Sequence, residues 1–135
     1  MRTLTAADIA TGQELPQLLV DVTATVVVAG AVASRDYQDV HHDSSVARGA
    51  GAKDIFMNIL TTNGLVGRFV TDWAGPEAIL KRVSIRLGAP NYPGDRMRMT
   101  GMVLRCDGTD VEVQVRGTNS LGDHVVGTVA LELPA

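Results

Sequence analysis

The sequence has very little cysteine: Cys106 is the only one among its 135 residues. One thiol excludes an intrachain disulfide and a zinc site built from several cysteines, and it suits the reducing cytoplasm. Long apolar runs are also missing. The longest, Val26–Ala33, is far shorter than the roughly 20 residues that a membrane-spanning helix needs. The N-terminus lacks the order of a signal peptide. We therefore expect a cytoplasmic protein without a membrane segment.

The charge is nearly balanced, since 12 Lys and Arg face 15 Asp and Glu and leave a net charge of −3. This small acidic excess gives no reason to expect nucleic acid or an anionic membrane as a partner. Glycine-rich nucleotide loops and nucleophile elbows are absent as well. The composition, 45% hydrophobic and 20% charged, is typical of globular proteins, and the length predicts a single domain over residues 1–135.

The first half of the chain is predicted to be mostly helical. A short strand ends near Val22, and an alanine-rich helix that Thr23 or Thr25 caps ends near Ala33. After an irregular polar loop, Ser44–Gly49 makes one helical turn.

The segment from Asp54 to about Trp73 shows the strongest helical periodicity. Apolar side chains recur at spacings of three, four and seven residues, and Asp54 stands where the helix would begin. Gly75 and Pro76 then end it. We expect this helix to be buried over most of its circumference.

The remaining chain alternates with period two, which predicts four strands joined by turns at 93–95, 107–108 and 121–123. One long apolar helix followed by an antiparallel meander indicates a sheet wrapped around that helix. The fold class is therefore α+β.

The loop 34–47 is rich in side chains that can take part in acid–base chemistry. It contains two adjacent histidines, His41 and His42, and the carboxylates of Asp36, Asp39 and Asp43. His41 lies five positions after Asp36, a spacing that places the two about 140° apart on a helix and on opposite faces of a strand. They can meet only in an irregular loop. The simpler interpretation is a solvated turn in which Asp43 or Ser44 caps the next helical turn.

The order of the loop residues resembles the signature of the MaoC-like (R)-specific enoyl-CoA hydratases, the hydratase 2 family. There an Asp is followed two residues later by Asn, five later by His and seven later by Asp. Asp36, His41 and Asp43 fall in this register, while Gln38 stands in place of the Asn and Asp39 in place of a usual Pro.

The likeness extends over nearly the whole chain from about residue 12. The segment 88–95 is similar to the Ala-Pro-x-x-x-Gly-Asp turn of MaoC-like proteins. The resemblance implies a hot-dog fold and a dimer with the acyl pocket at its interface. Within the family the chain looks most like the small MaoC subunit of an actinobacterial hydratase of steroid side chains. That likeness implies an acyl-CoA substrate and a second MaoC-like chain, or a second copy, as partner.

The resemblance also implies the roles of individual residues. Asp36 and His41 are expected to be catalytic and to deliver one water to a 2-enoyl-CoA, with Gln38 orienting that water. Asn58 and Ile59 occupy the place of a usual His-Gly pair, so both are expected to bind substrate, Ile59 through its backbone N–H to the thioester carbonyl. The side chain of Ile59 fills space that the family leaves empty. No cofactor and no metal ion are implied.

Two other functions stay open. A hot-dog thioesterase would release coenzyme A, but that activity usually needs a carboxylate inside the buried helix, where none follows Asp54 before Asp72. A non-catalytic MaoC subunit would only shape a partner's site. Of the remaining histidines, we expect His42 to be exposed and His124 to be solvated in a turn.

Overall fold

The computed structural model describes all residues from 1 to 135. Three α-helices, five strands and two short 3₁₀ turns make up the chain. They are β1 (Leu18–Asp21), α1 (Ala24–Ala33), α2 (Ser44–Gly49), α3 (Ile59–Ala74), β2 (Ile79–Leu87), β3 (Arg96–Asp107), β4 (Asp110–Asn119) and β5 (Gly122–Glu132), with 3₁₀ turns at Ala6–Asp8 and Asp39–His41. None of the helices combines the length and the apolar character needed to cross a bilayer.

The five strands form one sheet in the order β1-β3-β4-β5-β2, and every neighbouring pair is antiparallel. The four predicted strands are all present, and β3, β4 and β5 form a meander, but the predicted meander of all four is wrong because β2 pairs with β5 and not with β3. The short first strand lies beside β3. Because β1 and β2 lie at the two edges, each has one side without a strand partner. The α+β hot-dog prediction, with the sheet around one long helix, is confirmed.

The hydrophobic core lies between α3 and the concave face of the sheet. Val66, Phe69 and Val70 of α3 are buried. The strands meet them with alternate residues, as period-two patterning requires. These are Met97, Met99 and Val103 of β3, Val111, Val113 and Val115 of β4, and Val125, Val129 and Leu131 of β5.

The long helix begins at Ile59, so the prediction that it starts at Asp54 is wrong. The five residues before it lie outside any helix because polar groups of this segment have partners elsewhere in the fold. The N–H of Met57 donates to the carbonyl of Asn91 at 3.1 Å. The carbonyl of Phe56 accepts from His41 at 2.7 Å. These tertiary contacts outweigh the local helical pattern, and the helix begins after the segment ends.

The burial of α3 is also less complete than predicted. Ile59 and Leu60 are each 51% exposed, and Arg68 and Asp72 form a surface ion pair at 3.2 Å. The sheet covers one face of the helix, and in a single chain no second layer covers the opposite face. The first turn of α3 therefore presents two large apolar side chains to solvent, next to the loop that carries Asp36.

Candidate functional site

Asp36 is positioned by the C-terminal end of α1. The N–H of Asp36 donates to the carbonyl of Ala31 at 2.8 Å, and the N–H of Arg35 donates to the carbonyl of Val32 at 3.0 Å. These two bonds form a Schellman motif, which requires a left-handed residue after the helix. Arg35 has that conformation, with φ of 56°, although a glycine is the usual choice. The motif turns the chain sharply and fixes the position of the Asp36 backbone.

His41 lies at the end of the 3₁₀ turn Asp39–His41 and is buried, with only 6% of its surface exposed. Its Nδ1 lies 2.7 Å from the carbonyl oxygen of Phe56. Its ring also packs edge-on against the Phe56 ring, with 4.9 Å between centroids. Because a carbonyl only accepts, Nδ1 must carry a hydrogen. In neutral His41 the lone pair is therefore on Nε2.

Asp36 and His41 come together across the loop. The Nε2 atom of His41 lies 3.4 Å from Oδ2 of Asp36, and the two side chains are 7% and 22% exposed. The pairing that the sequence spacing alone left open is thus present: an irregular loop brings the two groups together, and one edge of the carboxylate stays open to solvent. The simpler interpretation, a solvated turn, does not describe this loop.

A third side chain, Asn58, completes this cluster from the N-cap position of α3. Its Nδ2 donates to Oδ2 of Asp36 at 3.1 Å and to Oγ of Ser34 at 2.9 Å. Its Oδ1 accepts from the N–H of Thr61 at 3.0 Å, as a helix cap does. The cluster therefore joins the end of α1, the histidine loop and the beginning of α3.

These contacts favour the ionised form of Asp36. The amide of Asn58 contributes most to lowering the pKa of this carboxyl below its ordinary value of 3.8, and the N–H of Gln38 adds to it. Partial burial opposes the effect, while the charges of His41 and His42 support it. A hydrogen bond to the charged form stabilises that form. Asp36 is accordingly a carboxylate at neutral pH and an acceptor for a proton.

The start of α3 supplies donors beside the carboxylate. The N–H groups of Ile59 and Leu60 have no acceptor within the chain, whereas those of Thr61 and Thr62 bond to Asn58. Free N–H groups and the positive end of the helix dipole favour an oxygen that carries negative charge. The side chains of Ile59 and Leu60 are half exposed, so a ligand can reach this backbone from outside.

Gln38 lies on the exposed surface of the same loop. Its backbone N–H donates to Oδ1 of Asp36 at 3.2 Å, while its side chain makes no hydrogen bond within the chain. The geometry thus brings Asp36, His41, Asn58 and the Ile59 backbone into one place, with the Gln38 side chain at the margin. The roles assigned to these five residues stay predictions.

Two contributors to the site, the Ser34 hydroxyl and the Phe56 carbonyl, belong to no recognisable sequence motif. Ser34 accepts from Asn58 while its hydroxyl donates to the carbonyl of Gly30 at 2.7 Å. The carbonyl of Phe56 holds His41. Neither a serine at a helix end nor a backbone carbonyl has a signature that sets it apart, so only the fold reveals them. The predicted cap is present, since Asp43 accepts from the N–H groups of Ser45 and Val46.

Two expectations about the other histidines need correction. His42 is half-buried, and its Nε2 lies 2.8 Å from the carbonyl of Asp36, a hydrogen bond that stabilises the loop. His124 is 1% exposed, lies inside β5 and contacts Thr62 Oγ1 at 2.8 Å and the carbonyl of Ala89 at 2.7 Å. Burial lowers the pKa of His124 below its ordinary value of 6.5, against the effect of the Ala89 carbonyl.

His124 is buried because the β4–β5 pairing is irregular. The register shifts between Gly117 and Thr118, which leaves His124 as the extra residue of a β-bulge. A bulge interrupts the alternation of faces, and both His124 and Val125 therefore point into the core. No group of three or more His, Cys, Asp or Glu side chains is arranged to hold a metal ion.

Comparison of the whole chain with solved structures identifies the fold. The R-hydratase PhaJ1 from Pseudomonas aeruginosa superimposes with a TM-score of 0.89 and covers 98% of this chain and 86% of its own, at 21% identity. That identity establishes the shared hot-dog fold alone. No protein-family profile matches the sequence.

A second comparison is much more specific. The 3-oxo-4,17-pregnadiene-20-carboxyl-CoA hydratase beta subunit of Mycobacterium tuberculosis is 48% identical over 122 residues, which are 90% of this chain and 95% of that subunit. In the crystal structure of the ChsH1-ChsH2 complex from the same organism, one chain matches with a TM-score of 0.91 at 48% identity, over 92% of this chain and 98% of that one. The chain therefore belongs to the family of MaoC-like enoyl-CoA hydratases, as the register of Asp36 and His41 predicted.

Proposed function

We propose that this chain is the catalytic subunit of a hydratase that adds water to a 2-enoyl-CoA with a bulky, steroid-derived acyl group. The product would be a 3-hydroxyacyl-CoA, and the working form would pair this chain with a second MaoC-like chain. The observation that carries the proposal is the 3.4 Å approach of His41 Nε2 to Asp36 Oδ2 beside the free N–H groups of α3.

Hydration requires that the oxygen of water bond to C3 while a proton is delivered to C2. Asp36 and His41 face the same small region, so one water can contact both groups. When the Asp36–His41 pair holds one proton, the unprotonated group takes a proton from this water as the C3–O bond forms, and the protonated group donates its proton to C2. Since both groups act from one side, water is added to one face of the double bond. The two groups titrate as a pair.

Negative charge develops on the thioester oxygen when water attacks C3. The N–H groups of Ile59 and Leu60 are the available donors for that oxygen, and the end of the α3 dipole supports them. We expect the Gln38 side chain, on the exposed side of the loop, to orient the attacking water. The residues that cradle the reacting atoms thus come from two segments, the loop after α1 and the first turn of α3.

Exposed apolar residues near the site support a partner chain and a large acyl group. Tyr37 is 69% exposed, Val32 is 50% exposed, and Ile59 and Leu60 add two further apolar side chains. Such a concentration of exposed apolar surface is typical of a binding or subunit interface. The edge strand β2 also leaves Ile79 59% exposed and has no strand on its outer side. A second MaoC-like chain would cover both surfaces.

The choice of substrate and partner rests on the relatives. The Mycobacterium tuberculosis relative of 48% identity is the beta subunit of a 3-oxo-4,17-pregnadiene-20-carboxyl-CoA hydratase, and a matching chain is found in the ChsH1-ChsH2 complex. We extend both to this chain as a steroid thioester and a heteromeric assembly. The thioesterase alternative is weakened because α3 contains a single carboxylate, Asp72, which is exposed and paired with Arg68.

The test is to purify the tagged chain with its native partner and to offer two thioesters, 3-oxo-4,17-pregnadiene-20-carboxyl-CoA and trans-2-octenoyl-CoA. Mass spectrometry would follow the gain of one water, and a thiol reagent would follow free coenzyme A. We expect hydration, fastest with the steroid, and no release of coenzyme A. Faster hydration of the linear thioester would contradict the substrate assignment, and release of coenzyme A would favour a thioesterase.

A further inference from the structure

Asn58 forms hydrogen bonds to three different parts of the site. Its Nδ2 lies 3.1 Å from Asp36 Oδ2 and 2.9 Å from Ser34 Oγ, and its Oδ1 caps α3 through the N–H of Thr61. The side chain is only 2% exposed. All of its polar atoms are therefore used inside the chain, and none is left to bind a substrate.

The orientation of the Asn58 amide is determined by its partners. The N–H of Thr61 can only donate, so the atom that faces it must be the oxygen. The Nδ2 group then has to face Asp36 and Ser34, and it offers one hydrogen to each. Reversing the amide would set Nδ2 against the Thr61 N–H and Oδ1 against the Asp36 carboxylate. Only one of the two orientations of the Asn58 amide therefore satisfies its hydrogen-bond partners.

The same side chain lies between the two groups that the proposed reaction needs. The residue that follows Asn58 is Ile59, whose free N–H would bind the thioester oxygen. The carboxylate that Asn58 holds would act on the water. A shift of Asn58 would therefore move the Ile59 N–H and the Asp36 carboxylate. The distance between these two groups depends on the Asn58 side chain.

We infer that Asn58 is a positioning residue of the hydration reaction, which holds the Asp36 carboxylate at a set place relative to the first free N–H of α3. The inference rests on the proposed function. Asn58 acts through Asp36 and the helix start and does not touch substrate. Its loss is expected to lower kcat and to leave KM nearly unchanged, because the misplaced groups act mainly in the transition state.

The decisive variant is Asn58→Asp, which is nearly isosteric. Asp caps helices as well as Asn does, so the start of α3 is retained. The new carboxylate would face Asp36 in place of the Nδ2 donor. His41 and His42 are the titratable groups that already face Asp36, and α3 contributes none. Adjacent carboxylates repel and titrate as a pair. We therefore expect the midpoint of the titration observed at Asp36 to rise by about one pH unit.

Carbon-13 NMR of the side-chain carboxyls in the folded protein measures the midpoint of the Asp36 titration. The Asp36→Asn variant assigns the Asp36 signal. Asn63→Asp is the matched control, because Asn63 is an exposed residue of the same helix. We expect the control to leave the Asp36 titration unchanged. An unshifted titration in Asn58→Asp as well would overturn the inference.

Asn58→Ser provides a second, independent variant. Serine is also a good helix cap but is too short to reach Asp36, so it removes the donor without adding a charge. We expect the Asp36 titration to move up by less than in Asn58→Asp and kcat to fall about tenfold or more, with KM within about twofold. If kcat and the Asp36 titration both stay unchanged, the inference is wrong. The NMR result does not need turnover, so a chain that never hydrated a thioester would defeat only the proposed function.

Discussion

The Nδ1 atom of His41 lies 2.7 Å from the carbonyl oxygen of Phe56, and this contact links the loop that carries Asp36 and His41 to the segment before the long helix. It requires the hydrogen on Nδ1, so the lone pair of neutral His41 faces Asp36. The carbonyl is free to accept because Phe56 lies outside α3. The late start of the helix and the tautomer of His41 therefore have the same cause.

The donor role of Ile59 is tested by Ile59→Pro. Ile59 is the first residue of α3, the position where helices accept proline most readily, and Asn58 already has the extended conformation that precedes proline. The variant removes one N–H and keeps the helix. If this N–H binds the thioester oxygen, kcat falls by about 10²–10³ in a steady-state hydration assay.

Ile59→Ala is the control, since it shortens the side chain and retains the N–H. We expect its kcat to stay within about tenfold of the unsubstituted chain, because no donor is lost. Equal activity in Ile59→Pro and Ile59→Ala, with both folded by circular dichroism, would show that the N–H of Ile59 has no part in the reaction.

The contact of α1 with α3 is tested by Gly30→Ala. A Cβ at Gly30 would lie 2.8 Å from Thr61 Cγ2 and closer still to its Oγ1. Overpacking of this kind costs about 1–3 kcal/mol, measured as a lower free energy of unfolding in urea. Thr61 also bonds to Asn58, so the loop that holds Asp36 would shift and activity would fall as well.

Gly64→Ala is the matched change at a site without crowding, because a Cβ at Gly64 meets nothing within 4 Å. We expect it to raise the free energy of unfolding by about 0.5–1 kcal/mol through the better helix propensity of alanine. A Gly30→Ala protein as stable as Gly64→Ala would show that the two helices do not meet as closely as described.

His124 makes stability depend on pH. Its folded pKa lies below the ordinary value of 6.5, so the unfolded chain binds a proton that the folded chain does not. The free energy of unfolding therefore decreases as pH falls below about 6.5, by up to about 1.4 kcal/mol per pH unit until the folded pKa is reached. The carboxyls with lowered pKa, such as Asp36, lose their contribution only below 3.8, outside this range.

Urea unfolding between pH 5 and 7.5 measures this slope, and His124→Gln serves as the comparison. The substitution lowers stability at every pH, but we expect a flatter pH dependence because one titrating group is gone. If the slope of the variant equalled that of the unsubstituted chain, the buried His124 would not be the source of the pH dependence.

Much of the fold could be predicted from the sequence because its local and global signals agree. The alternation of Val111, Val113 and Val115 places all three in the core. Thr23 accepts from the N–H of Val26 at the start of α1, as its position suggested. Where the side-chain period matches the burial pattern, no tertiary knowledge is needed.

The errors arise where tertiary contacts override local pattern. Asp54 has the chemistry of a helix cap, yet its carboxylate accepts from the hydroxyl of Ser44 and the N–H of Ile55 ahead of the helix. The sequence predicts a turn at His124 because no local signal marks the bulge in β5. For the candidate site, the sequence alone shows the register of Asp36 and His41. The hydrogen bonds from Asn58 to Ser34 and Asp36 join residues 22 to 24 positions apart, so they depend on the fold.

The most direct test of the account is the hydration rate of the complex that contains Asp36→Asn. The substitution keeps the shape of the side chain and removes its capacity to take a proton, while Asp39→Asn changes an exposed carboxylate of the same loop as a control. We expect Asp36→Asn to lower kcat by about 10²–10⁴ with normal folding and partner binding, and Asp39→Asn to change little. Full hydration activity in the Asp36→Asn complex would contradict the catalytic role of this chain and leave it a structural subunit.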